Sequence, residues 1–315
     1  MTMAATRRAF LTSTGAWIMA GLAAPQVMAA PDIKVTLLGT KGGPRVNKGR
    51  ANPSNLVTVA GQFYVVDCGY GVTRQLVDAG VEAHEVRTIL ITHNHSDHML
   101  ELGPLVYSAW AGGLREPIDV WGPPPVGKIV ANFLDSVGYD VDIRMEDEGR
   151  PDLRKLVRVH EFEAPGSGPA TVFERGGLRV SATAVRHPPI AHAYAYRFDT
   201  PDRSIVLSGD TTYSPELIAL AKSADVLVHE VMHLGSLDRL LSRNPNAPTL
   251  RKHLIDSHTT TEQLGHVAAE AGVKMLVLSH FVPGDDPSIT DAMWVEDVRR
   301  IFSGTTVVGR DLMTI

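Results

Sequence analysis

A single cysteine, Cys68, is all this 315-residue chain holds, which excludes an intramolecular disulfide and any zinc ribbon or finger built on paired thiolates. Any metal must therefore be held by imidazole and carboxylate. Aromatic residues make up 6% of the chain, and no run of Lys and Arg is interleaved with them, so the basic stacking stripe of nucleic-acid binders is missing. With a formal charge of −5, no nucleic-acid partner is expected. From Ile33 onward there is no repeat, low-complexity tract or linker, so residues 31–315 read as one domain.

Long apolar runs are missing too. The longest candidate lies in "ATRRAFLTSTGAWIMAGLAAPQVMAAPD", where Thr12, Ser13 and Thr14 interrupt it and leave it too short to span a bilayer. Paired Arg7 and Arg8, then Phe10 and Leu11, then a modest apolar stretch to Ala24 and small residues at Ala29 and Ala30, follow the layout of a twin-arginine export signal. Residues 1–30 are read as that signal, which implies the twin-arginine export machinery as a partner and a periplasmic or secreted location. That route carries folded proteins, which suits a chain that takes up its metal before export. Removing the segment takes away two positive charges and leaves the mature chain near −7.

Strands and helices alternate along the rest. "IKVTLLGT", "FYVVDCG" and "TILIT" read as strands, "GVTRQLVDAG" as a helix stopped by Gly80, and "RSIVLSGD", "DVLVHE" and "VKMLVLSH" as later strands. Ser214 and Pro215 have the residue types of an N-cap and first helical position. "TTTEQLGHVAAEAG" reads as a helix with Thr259 and Glu262 as capping box and Gly272 as its stop. The pattern places His93, Asp210 and His280 each just past an apolar strand, where α/β proteins gather functional groups. Asp140 to Glu163 reads as charged and irregular, and Gly235 to Ser257 as an inserted lid or surface hairpin.

The densest chemistry is "THNHSDH". His93, His95, Asp97 and His98 put four donors on one short loop, and alternate positions of an extended turn can aim two imidazoles at one ion and the next pair at another. His84, His160, His192, His229, His233, His253 and His266 lack ligand spacing and read as surface or core residues, with His192 and His233 near enough to the motifs to line a pocket. Tyr194 and Tyr196 alternate as core strand residues should. Tyr107, Trp110 and Trp121 fit either core packing or stacking on an aryl group.

"LLGTKGGPR", "VVDCG", "THNHSDH", "TAVRHPP", "LSGDT", "LVHE", "SHTTTEQ" and "LSHF" together resemble the metallo-β-lactamase superfamily, across most of residues 33–315, and are most similar to its ribonuclease Z and arylsulfatase-like branch. The resemblance implies an α/β fold, a four-layer αββα sandwich, with two divalent metal ions at the edge of the sheets. It makes His93, His95 and His187 ligands of one ion, Asp97, His98 and His280 ligands of the other, and Asp210 the bridge. Zn²⁺ suits such donors, with Mn²⁺ and Fe²⁺ also admissible. It further implies that His258 stabilises developing charge or protonates the leaving group, oriented by Glu230, with Asp97 also in the catalytic set. Asp67 could fix the tautomer of a liganding histidine or simply be a turn aspartate.

The reaction expected from the resemblance is hydrolysis by a metal-bridging hydroxide of a small anionic ester, a sulfate ester in the arylsulfatase manner ahead of a phosphodiester. Transfer-RNA processing is discounted, because only "RFDTPDRS" joins "HAYAY" to "IVLSGD", leaving no long arm to grip transfer RNA. β-Lactamase, lactonase and thioesterase activities are the alternatives, the first disfavoured by the aspartate at Asp210. A non-hydrolytic diiron or metal-binding protein is a third class, disfavoured by His95 standing where diiron members usually carry Glu. A homodimer is the assembly such relatives often form.

Overall fold

The computed structural model describes residues 1, 2 and 33–315; the export signal read at residues 1–30 falls almost wholly outside them. Seven strands come from the first half of the chain and its last residues: β1 (Ile33–Gly39), β2 (Ser54–Val59), β3 (Gln62–Val66), β4 (Thr88–Leu90), β5 (Ile118–Gly122), β6 (Val157–Glu161) and, at the C-terminus, β14 (Met313–Thr314). They form one sheet in the order β14-β1-β2-β3-β4-β5-β6. The other sheet, in reverse order, comprises β7 (Ala170–Arg175), β8 (Leu178–Ala184), β9 (Tyr194–Asp199), β10 (Ser204–Leu207), β11 (Val226–Met232), β12 (Met275–Val282) and β13 (Thr305–Val308). Each sheet is antiparallel on one side, from β14 to β3 and from β7 to β10, and parallel from β3 to β6 and from β10 to β13, where the connections contain helices.

Alternation along the strands assigns the layers. Leu37, Val66, Leu90, Ile205, Val228 and Val277 point between the sheets and form one core cluster. Their neighbours Leu38, Val65, Ile89 and Ile91 face the helices outside the first sheet, and Val206, Leu227, Leu276 and Leu278 face those outside the second. Two sheets packed face to face between helices are the expected αββα sandwich in a single domain. Tyr194 and Tyr196 are fully buried, as their alternation implied.

Two stretches differ from their sequence readings. Residues 140–163 are ordered as helices Gly138–Glu148 and Leu153–Leu156 followed by β6. Only Val141 of the longer helix is buried, so the sequence carries almost no apolar stripe; Arg144 bridging Asp140 and Glu148 at i,i±4 supports the helix instead. Residues 235–257 form two short helices, Leu237–Ser242 and Leu250–Ser257, whose Leu237 and Leu254 pack on Met232 and Val282.

Caps follow the expected chemistry with one shift. Ser214 accepts from Leu217 N ahead of Pro215, and Gly272 closes the helix Thr261–Ala271 at φ 64°. The capping box of that helix is Thr260 with Gln263, one residue later than expected. Thr259 is diverted because its hydroxyl donates to Thr211 O at 2.6 Å. Thr260→Ala should lower unfolding free energy by about 1 kcal/mol, read as a lower denaturant midpoint at unchanged slope.

Candidate metal centre

Strand ends from both sheets converge at one edge of the sandwich. β4 runs out into His93, His95, Asp97 and His98, β8 into His187 and β10 into Asp210, whereas His280, expected just past its strand, lies within β12 at a register shift against β11. The ligand atoms of His93, His95, His187 and Asp210 all lie within 4.8 Å of one another, as do those of Asp97, His98, Asp210 and His280. Asp210 belongs to both groups, so the seven residues the resemblance named lie together in two clusters that share one carboxylate.

Hydrogen bonds fix which nitrogen each histidine presents. Asp67 accepts from Thr92 N at 2.8 Å, from Thr92 Oγ1 at 2.9 Å and from His98 Nδ1 at 2.8 Å. The Thr92 hydroxyl, its proton committed to Asp67, accepts from His93 Nδ1 at 3.0 Å. One carboxylate thus orients two imidazoles, and the turn-aspartate reading of Asp67 gives way to a positioning role. His187 Nδ1 donates to Ser257 O at 2.9 Å. The Nε2 atoms of His93 and His187 therefore carry lone pairs, and they face His95 Nδ1 at 3.1 and 3.0 Å.

Those lone pairs converge on a space that wants a cation. His98 Nε2, His280 Nε2 and Asp210 Oδ1 are buried with no hydrogen-bond partner among the described residues. They nevertheless crowd together: His98 Nε2 is 3.2 Å from Asp210 Oδ1, and His280 Nε2 is 3.1 Å from Asp210 Oδ2. Buried polar atoms are rarely left without partners, so this donor set fits divalent metal ions.

Electrostatics point the same way. Burial holds His93 well below the ordinary imidazole value and, as the main cause, pushes His187 down to about 4, keeping both neutral and free to donate a lone pair. Burial also opposes charge on His98 and His280, but Asp210 foremost outweighs it and raises His98 well above the usual value and His280 to about 10. Asp210 and Asp97 are held low despite burial, Asp210 chiefly by His280 and His98 and Asp97 chiefly by His98. Protons on these imidazoles occupy the role a cation would take, so metal uptake should release them.

His258 and Glu230 form the neighbouring pair the resemblance implied. His258 Nδ1 donates to Glu230 Oε2 at 2.9 Å, and Glu230 Oε1 also accepts from Thr211 N at 2.7 Å. Both are buried, and although burial opposes it, Glu230 raises His258 above the ordinary imidazole value. Asp97, also read as catalytic, has its Oδ2 on Gly43 N at 2.9 Å and 3.6 Å from His280 Nε2, which places it among the metal donors.

Two features escaped the reading of the residues. The turn after β1 lies against the centre: Lys41 Nζ donates to Gly42 O and Gly43 O at 2.8 and 2.9 Å, and a Cβ on Gly42 would sit 2.8 Å from the His280 ring. His253, set aside for lack of ligand spacing, has its ring centroid 6.2 Å from those of His95 and His187 and lines the cleft above the centre, which has a volume of about 380 Å³. Of the aromatics considered for an aryl group, Trp110 is core, Tyr107 packs against it, and Trp121 stacks on His160 at 4.0 Å; none lines this cleft. His192 and His233 do not line it either.

Residues 63–281 match the family described as Beta-lactamase superfamily domain. The chain is 32% identical over 283 residues to ribonuclease Z of Mycobacterium bovis, covering 89% of this chain and 96% of that protein. It is 34% identical over 284 residues to ribonuclease Z of Mycobacterium marinum, covering 89% and 97%. The chain belongs to the β-lactamase superfamily, in its ribonuclease Z branch. Among solved structures, human tRNase Z, short form, shares the fold with a TM-score of 0.63 at 21% identity over 90% of this chain and 98% of that one. The metallo-beta-lactamase fold protein YhfI from Bacillus subtilis does so with 0.65 at 20% over 90% and 99%. Membership and donor set make this a metal-dependent hydrolase.

The family corrects one expectation outright. A small anionic ester as substrate, with no nucleic acid expected, is overturned by near full-length relatives that are ribonucleases, and the preference for an arylsulfatase finds no support among them. Neither the net charge nor the short connection excludes such a substrate. A net charge of −5 is a whole-chain sum and does not describe the surface around one cleft. The short β9–β10 connection is not distinctive, because 283 aligned residues covering 89% of this chain and 96% of the relative leave no room for a long arm there.

Removing the shared orienting carboxylate should loosen the whole centre. Asp67→Ala is expected to lower metal affinity about 10- to 100-fold, measured by competition with a chromophoric chelator. Gly42→Ala should weaken it as well by displacing the His280 ring.

Proposed function

We propose that this protein is a dinuclear, zinc-dependent phosphodiesterase acting on RNA, of the transfer-RNA-processing class. The observation that carries the reading is the ribonuclease Z relationship over 89% of the chain, joined to a complete donor set. In this reading His93, His95 and His187 hold one ion, Asp97, His98 and His280 hold a second, and Asp210 lies between them. Bound there, the ions supply Lewis acidity toward a phosphoryl oxygen and an activated water at neutral pH.

The chain's own residues do the rest. Asp67 and Thr92 hold His98 and His93 in the tautomers that present Nε2. Glu230, fastened to Thr211 N, aims His258 and favours its protonated form, so His258 has a proton to give to the departing oxygen.

The experiment offers a precursor transfer RNA with a 3′ trailer to the zinc-loaded protein, with Asp210→Ala as control. Endonucleolytic cleavage lost in Asp210→Ala is expected, and an intact substrate under metal-replete conditions would overturn the reading. His258→Ala should slow RNA cleavage by about 10²- to 10⁴-fold yet leave a nitrophenyl phosphodiester, whose leaving group needs no proton, much less affected. The twin-arginine pattern supports a competing proposal, that the mature chain works outside the cytoplasm and so away from transfer-RNA precursors, in which case its substrate is another phosphodiester; fractionation decides between the two. Arg7→Lys combined with Arg8→Lys should then retain the protein in the cytoplasmic fraction, and unchanged fractionation would refute it.

A further inference from the structure

The helix Leu250–Ser257 lies outside the motifs that form the metal centre, yet it is tied to that centre at its last turn. Ser257 O receives the His187 Nδ1 proton at 2.9 Å, and Ser257 Oγ donates to Pro188 O. With its proton spent on Pro188, the Ser257 hydroxyl can only accept from His253 Nδ1, 3.3 Å away and one turn earlier. His253 is thereby held as the tautomer with its proton on Nδ1. Its Nε2 is left as a lone-pair acceptor with no hydrogen-bond partner among the described residues.

Position gives that acceptor a use. The His253 ring lies 6.2, 6.2 and 6.1 Å from the rings of His95, His187 and His258, and the side chain is half-buried in the wall of the cleft. Its nitrogens are not part of either donor group that gathers around Asp210. Around it the two short helices contribute Leu240, Leu250 and Leu254, an apolar surface, with Asn244 of the turn between the helices the other polar side chain that this segment puts on the cleft. An imidazole acceptor flanked by apolar side chains and within about one ring of the metal donors suits a substrate hydroxyl that can donate.

We propose that His253 Nε2 accepts the 2′-hydroxyl of the ribose next to the scissile phosphate, and is the residue by which this cleft prefers RNA to DNA. The inference rests on the phosphodiesterase reading and names what its cleft recognises; the 2′-hydroxyl is the group that distinguishes the two nucleic acids.

The test uses the full metal-loaded protein and three strands of one sequence: all-RNA, and the same strand with a single 2′-deoxy or 2′-fluoro residue at the nucleotide 5′ of the cut. For the wild type, both substitutions should lower kcat/KM about tenfold, the scale of one neutral hydrogen bond, because fluorine cannot donate. His253→Ala and the shape-preserving His253→Phe should cleave all three strands at similar rates, with zinc content and thermal midpoint measured to show an intact centre. Wild-type indifference to the 2′-substituent, or discrimination that survives in both variants, would overturn the proposal. Failure to cut any strand while a nitrophenyl phosphodiester is still hydrolysed would instead count against the ribonuclease reading and the inference together.

Discussion

Two acids buried at the seam between two sheets, Asp97 and Asp210, impose the constraint around which the rest is arranged. Neither carboxylate can be neutralised by solvent, and each has imidazoles as its nearest cationic partners. A buried carboxylate pair is costly unless positive charge is brought to it. Every element that ends at this edge contributes to that compensation, whether as donor, as orienting partner or as the turn that keeps water out. The sandwich explains why the donors can meet: parallel strands deliver their C-terminal ends to one side, and two sheets double the number of ends available.

The conformations adopted there are unusual for their residue types. Asp67 and His280 both lie in the left-handed region, at φ 65° and 43°. Asp and His tolerate that region better than most side chains, and strain of this kind persists only where surrounding contacts over-determine it. For Asp67 those contacts are three hydrogen bonds that its carboxylate accepts; for His280 they are the stacked His98 ring and the Gly42 backbone. Rigidity at the centre is thus built from donors packed on one another, as His98 is on His280, together with groups outside the donor set such as Thr92 and Gly42.

Much of the centre was legible in the sequence because its donors either cluster at fixed spacing, as in His93 to His98, or sit at the end of an apolar run, as Asp210 does after β10 and His280 does inside β12. The strands themselves were legible from alternation. Residues that act through tertiary contact left no such trace. Lys41 and Gly42 sit in a short polar turn whose purpose appears only when His280 is packed against it, and His253 lies on a helix with no motif of its own. The helix Gly138–Glu148 was invisible to periodicity because it buries one residue. Net charge, summed over the whole chain, and the length of one connection do not report the chemistry of a single cleft, so neither excludes a nucleic-acid substrate.

The division of the strands has a further consequence. Apart from β14, the first sheet is built from residues 33–161 and the second from residues 170–308, and they are joined by a connector in which Gly166 and Ser167 are exposed. Donors come from both sides of that connector: His93 to His98 from one, His187, Asp210 and His280 from the other. Metal ions at this edge would therefore act as rivets between two halves of the polypeptide, and β14, returning to pair with β1, laces them a second time. A backbone nick at the exposed connector would then leave two pieces held as one particle, and stripping the ions would loosen the seam well before either sheet came apart.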